Sequence, residues 1–165
     1  ASSAPSAAPR RAPSSAMDEV LVPAISAVIL LDDEGQRIYA KHFTTDLSKA
    51  EQLAAEAALH KKTKGISART DSDVMLVDQQ VTVFRSGSDC KFFVVGSAEE
   101  NELVLAGVLD ALFETVSTLL RSQLDRATIL DHLELVMLTV DEVVDHGNVL
   151  EIDSAAVANR VLMRG

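Results

Sequence analysis

The chain has no tryptophan, one tyrosine, one cysteine, four prolines and seven glycines among 165 residues. Each scarcity excludes something. A single cysteine, Cys90, rules out an intramolecular disulfide framework and fits a reducing cytosol. The glycines form neither a G-x-x-x-x-G-K-[ST] nor a G-x-G-x-x-G loop, so no nucleotide cradle is visible, and no G-x-S-x-G elbow presents a serine nucleophile. Long hydrophobic runs are absent too: stretches such as Ala27–Leu31 are strand-sized, far short of the ~18 residues that mark a membrane-spanning helix. Positive charge is in deficit, with 15 Lys and Arg against 25 Asp and Glu and a net charge of −10. That balance argues against a general nucleic-acid binder, favours solubility and suits a basic partner.

What is present is a core. Apolar residues make up 47% of the chain, and the length suits one domain. The first sixteen residues, ASSAPSAAPRRAPSSA, are of different material: Ala, Ser and Pro with two Arg and no acid. They offer nothing to offset the entropy of ordering, which predicts a disordered tail over 1–16 and a folded domain over 17–165.

Ala24–Leu31 (AISAVILL) reads as a strand covered on both faces, and DDEGQ supplies a turn into RIYAKHF. Strict alternation there sets Ile38 and Ala40 opposite Arg37, Tyr39 and Lys41. Ser48 and Glu51 have the spacing of a capping box, opening a helix whose apolar stripe is Ala50, Leu53, Ala54, Ala57 and Ala58. Lys61, Lys62 and Lys64 precede Gly65; they suit the negative end of a helix, or an acidic lipid surface or partner. Short strands follow at Val74–Val77, Gln80–Phe84 and Lys91–Val95.

Ser97 and Glu100 suggest a second capping box before a helix over Glu99–Arg121. A further helix is expected from Arg126 to His146, apolar almost all round in LELVMLTV, and a last one over Ser154–Met163. The order predicts an α/β (α+β) sandwich: a five-stranded mixed sheet, helices on both faces and a helical C-terminal part.

The densest chemistry is VDEVVDHGNVLEID, Val140–Asp153, with Asp141, Glu142, Asp145, His146, Glu151 and Asp153. On one helix, Asp141 would stack on Asp145 and Glu142 on His146. A metal bridged by Glu142 and His146 needs further ligands that the sequence does not declare, and Gly147 lacks the preceding spacing of an EF-hand. A plain helix end, with Gly147 leaving in a left-handed turn, is the simpler expectation. Its carboxylates oppose the helix dipole, so they call for a basic partner within the fold or on another chain. Cys90 reads as a small apolar filler, and neither a cofactor nor a metal site is expected.

These residues carry a resemblance. The strand-turn-strand start, KFFVVGSAEENELVLAGVLDALFETVSTLL and LTVDEVVDHGNVLEID together resemble the coatomer zeta subunits, small chains of the COPI vesicle coat related to the sigma chains of clathrin adaptors. In that family a hydrophobic helix ending in D-E is followed by a glycine turn and an acidic extended segment, here Asp141, Glu142, Gly147, Glu151 and Asp153. The similarity runs from about Met17 onward. It implies a longin-like fold, no enzymatic activity and no cofactor. It also implies an obligate pairing with the trunk of the coatomer gamma subunit within the heteroheptameric coatomer. Arf-family GTPases would recruit the assembled coat to Golgi membranes for Golgi-to-ER and intra-Golgi transport, membrane contact being indirect. The five residues named are then family signature and candidate partner-docking positions. Two rivals stand beside this: a clathrin-adaptor sigma-type chain contributing to dileucine recognition, and a small metal-dependent hydrolase using Asp141, Glu142, Asp145 and His146.

Overall fold

The structure, a computed structural model, describes residues 24–44, 46–68 and 71–164; the tail expected over residues 1–16 lies outside them. In chain order the elements are β1 (Ile25–Asp32), β2 (Arg37–His42), α1 (Lys49–Thr63), β3 (Asp73–Val77), β4 (Gln80–Ser86), β5 (Cys90–Ser97), α2 (Glu102–Leu119), α3 (Arg126–Asp131), α4 (Leu133–Val143), β6 (Val144–Asp145), β7 (Asn148–Val149) and α5 (Ser154–Arg164).

Five strands form one sheet in the order β2-β1-β5-β4-β3, and β6 pairs with β7 in a separate hairpin. All four pairings in the main sheet are antiparallel, so the sheet is not mixed as expected. The reason lies in the single helical crossover. β2 and β3 do point the same way, but α1 joins them across the whole sheet, from one edge to the other, and they never become neighbours.

β1 is an interior strand, buried along nearly its whole length. Ile25, Val28, Ile29, Leu30 and Leu31 are each at most 1% exposed, and full burial of such side chains contributes about 1.5–3 kcal/mol apiece. Period-two alternation sends them to two separate cores. Val28 and Leu30 join Val83, Phe92 and Val94 under α2, whose Leu105, Leu109, Leu112 and Val116 form its apolar stripe. Ala27, Ile29 and Leu31 join Phe84, Phe93 and Val95 beneath Leu59 of α1. Helices therefore cover both faces, as expected.

Several local expectations give way. α2 starts at Glu102 with Asn101 as its cap, the Asn101 Oδ1 accepting from Leu103 N at 2.8 Å. Ser97 instead ends β5, and its carbonyl accepts from Glu100 N in a turn. The helix expected over Arg126–His146 is two helices. α3, capped by Asp125, stops at Asp131, and α4 ends at Val143. α4 packs against both α2 and α5, while Glu134 and Met137 face outward.

The face that α1 turns inward also differs. Its buried residues are Glu56, Leu59 and Thr63, whereas Ala50, Leu53, Ala54 and Ala57 of the expected stripe are exposed. A bulge in β2 explains this. Leu30 pairs with Tyr39 and Leu31 with Arg37, so Ile38 is the extra residue and Arg37 falls on the same face as Ala40 and His42, not with Tyr39 and Lys41. Arg37 and His42 then meet Glu56 beneath α1. The guanidinium Nε and Nη2 donate to Glu56 at 2.9 and 2.5 Å, and the His42 ring lies 3.1 Å from its Oε2. Three charged or polar groups satisfied in one place outweigh the burial of three alanines and a leucine.

Candidate functional site

The segment Val140–Asp153 is where the sequence concentrates its carboxylates, and the structure gives each one an intrachain contact. Val143 and Val144 are buried and anchor the end of α4. The chain then reverses through His146 (φ 52°) and Gly147 (φ 85°), a two-residue hairpin turn with both central residues left-handed, the geometry that matches strand twist. Gly147 thus turns a hairpin and does not terminate a helix. Its carbonyl accepts from Ile25 N at 2.9 Å, and Leu150 N donates to Val143 O at 2.8 Å, which fastens the hairpin to the start of β1 and the end of α4.

Asp141 pairs with Lys41 of β2 at 2.9 Å, both side chains being over 40% exposed, so the pair itself contributes little to stability. It lies close enough to matter to Tyr39, whose phenol is pushed up to about 12 by burial first and by the Asp141 charge second. Glu142 accepts from Arg164 at 3.0 Å and ties the end of α4 to the end of α5. The Asp145 carboxylate lies 2.8 Å from the ring of its neighbour His146 on an exposed turn. Glu151 pairs with Arg160 at 3.4 Å while its Oε2 accepts from Ile152 N and Asp153 N. Asp153 opens α5: its Oδ1 accepts from Ala155 N at 3.0 Å and Ala156 N at 3.3 Å. The basic partners demanded by this acidic stretch come from Lys41, Arg160 and Arg164 of the same chain.

The hairpin also separates groups that a continuous helix would have stacked, because Asp145 and His146 leave the helix that carries Asp141 and Glu142. Among the described residues no three His, Cys, Asp or Glu side chains are grouped to hold a metal. Cys90 is 1% exposed, its thiol pushed up to about 12 by burial and then by the charges of Asp89 and Asp33, and it fills space against Leu124. A thiol so held is not a nucleophile.

Sequence reasoning missed two features. One is the Glu56 cluster; an acid in the middle of an alanine-rich helix, near a strand that carries Arg37 and His42, was its signal. The other is a cavity of about 40 Å³ between α1 and the sheet, lined in part by Ser26, His42, Leu59 and Thr82. The Thr82 hydroxyl is fully buried and has no partner among the described residues. At the far end of α1 the lysine cluster stands exposed, and Lys91 of β5 donates to the Thr63 carbonyl at 2.7 Å.

Residues 24–165 match the family described as clathrin adaptor complex small chain. The chain is 40% identical over 141 residues to coatomer subunit zeta-1 of Arabidopsis thaliana, covering 85% of this chain and 80% of that protein. It is 39% identical over 142 residues to coatomer subunit zeta-1 of Homo sapiens, covering 86% and 78%. Coatomer subunit zeta-1 of Oryza sativa subsp. japonica is 36% identical over 144 residues, covering 87% and 81%. In three dimensions the chain resembles a chain of a full-length AP-3 complex in a stretched open conformation, itself a homology model, with a TM-score of 0.67 at 12% identity over 85% of this chain and 92% of that one. That likeness concerns the longin-like fold.

Proposed function

The chain belongs to the clathrin adaptor complex small chain family, on its coatomer zeta branch, and from that premise we propose that it is the zeta-type subunit of a COPI coat, paired with the trunk of the gamma large subunit. Identity of 36–40% to zeta subunits over nearly the whole described domain is the observation that carries this reading. Membership of a family of coat adaptor small chains supports a non-enzymatic role. The carboxylates of Glu142 and Asp153 tie helix ends in place. Among the described residues no helix is long and apolar enough to cross a membrane. Membrane contact would then come through larger partners, with an Arf-family GTPase recruiting the assembled coat to the Golgi for retrograde and intra-Golgi transport.

In this reading Asp141, Glu142, Gly147, Glu151 and Asp153 act first by building the hairpin and seating α5, and through them the surface that a partner meets. The test is co-expression with a coatomer gamma trunk, with an adaptor large-chain trunk in parallel, followed by size-exclusion chromatography with mass analysis. A one-to-one complex with the gamma trunk alone is expected. Selective pairing with the adaptor trunk would favour a sigma-type chain, and a monomer that ignores both would overturn the coat assignment.

A further inference from the structure

Five of the six most exposed large apolar side chains among the described residues come from three segments: Leu103 (75% exposed), Leu150 (57%), Ile152 (54%), Leu162 (63%) and Met163 (85%). Single exposed leucines are ordinary on a protein surface, but neighbouring ones mark a contact.

The contacts of this chain bring these three segments together, α2 packing against α5. Ile152 lies against Gly107 of α2, where an added Cβ would sit 3.7 Å from its Cδ1. Leu103 stands one helical turn before Gly107 on the same face of α2. The ion pair of Glu151 with Arg160 sets the 150–152 segment alongside α5, and Met163 follows Arg160 by three residues, on the same side of that helix. Val157, Ala158 and Val161 form the buried face of α5, so Leu162 and Met163 are left over from its packing within the chain. The head of α2 adds charge of one sign, since Glu99, Glu100 and Glu102 have no cation partner among the described residues. Glu142 and Glu151, in contrast, are already tied to Arg164 and Arg160.

We propose that this apolar patch, formed by the head of α2, the 150–152 segment and the tail of α5, is the seat of the large coat subunit, which covers it with aliphatic side chains flanked by lysine or arginine. The assignment rests on the coat reading above and adds where the partner sits and what chemistry it presents. An aliphatic centre with an acidic border calls for that partner, because the apolar part supplies the affinity while the charges set orientation and encounter rate. The outer stripe of α1 has the weaker claim. Its apolar residues are mostly alanines, and Lys49, Lys61 and Lys62 stand on the same helix.

The full chain would be co-expressed with the gamma trunk and association measured for Leu103→Glu and Met163→Glu, with Leu53→Asp on α1 and Leu76→Asp on β3 as controls. All four positions are exposed, and circular dichroism of each variant would check folding. The first two substitutions should weaken association about tenfold or more, the range of an interface hot spot. The controls should bind as the wild type does. Glu100→Lys should slow association most at low salt. Wild-type binding that survives both Leu103→Glu and Met163→Glu overturns the assignment and leaves the coat reading intact. Loss confined to Leu53→Asp moves the interface to α1 and overturns it equally. Failure of the wild-type pair itself removes the coat reading, and this assignment with it.

Discussion

Replacing Glu56 with alanine should be among the most damaging single changes outside the apolar cores. Its carboxylate ends three contacts, two from Arg37 at 2.9 and 2.5 Å and one with His42 at 3.1 Å. The side chain of Glu56 is 3% exposed, that of His42 6% and that of Arg37 28%. Deleting one member of a buried ion pair costs roughly 3–5 kcal/mol, chiefly because the other charge stays buried alone. Here the residual exposure of Arg37, 28% for its side chain, places the expected loss near the lower end, about 3 kcal/mol. For a domain of this size that is a fall in Tm of about 6–12 °C.

The effect should also depend on pH. Burial alone would raise the Glu56 carboxyl, but hydrogen bonds from His42 and Arg37 and their charges outweigh it and hold the group below its ordinary value of 4.5. A carboxyl that ionises more readily in the folded state stabilises fully above its unfolded pKa, and that stabilisation is lost as the pH falls through the folded pKa. The gap between wild type and Glu56→Ala should therefore be widest near neutrality and close in acid. Urea unfolding followed by far-UV circular dichroism across the acid range measures this directly, with Lys61→Ala as an exposed control on the same helix. A loss below about 1 kcal/mol at neutral pH, the range of an exposed pair, would refute the argument. So would a gap that stays constant into acid.

Three further outcomes can be checked on the same material. Gly96→Ala would place a Cβ 2.8 Å from Leu105 Cδ2 and 3.0 Å from the Ala24 carbonyl; it should cost about 1–3 kcal/mol by overpacking, and an unchanged urea midpoint would contradict the packing of α2 on β5. Thr82→Val removes a buried hydroxyl that has no partner among the described residues while keeping its shape, so Tm should hold or rise; a clear drop would mean the hydroxyl is satisfied. Cys90, with its thiol pushed up to about 12, should resist iodoacetamide in the folded chain at mildly alkaline pH and react on unfolding in urea. Fast native labelling, read by mass spectrometry, would contradict its burial.

Much of the architecture is legible in the sequence because local signals agree with the final packing. AISAVILL has no polar face to offer water and becomes an interior strand, and the leucine and valine stripe of α2 meets the sheet as its spacing demands. The failures at α1 and in the direction of the sheet share a cause, which is that distant residues decided them. The orientation of α1 follows from Arg37 and His42 meeting Glu56, a contact nineteen residues long that depends on a bulge at Ile38. The sheet is antiparallel because the α1 crossover reaches the far edge and not the next strand. Within Val140–Asp153 the carboxylates were plain to see, but their partners Lys41, Arg160 and Arg164 come from other elements, so only the fold shows that they are satisfied internally.

The order of strands also has a consequence for synthesis. β1 is hydrogen-bonded to β2 on one side and to β5 on the other. Its second neighbour begins only at Cys90. While the chain is being made, the hairpin of β1 and β2 can form at once, but the other edge of its most apolar strand stays open until β5 emerges. At about 5–20 residues per second that interval is on the order of 3–10 seconds. An unpaired apolar edge invites pairing with other chains, and pairings this distant in sequence are slow to close. The nascent chain therefore passes through a stage in which its most apolar strand is open to pairing along one edge.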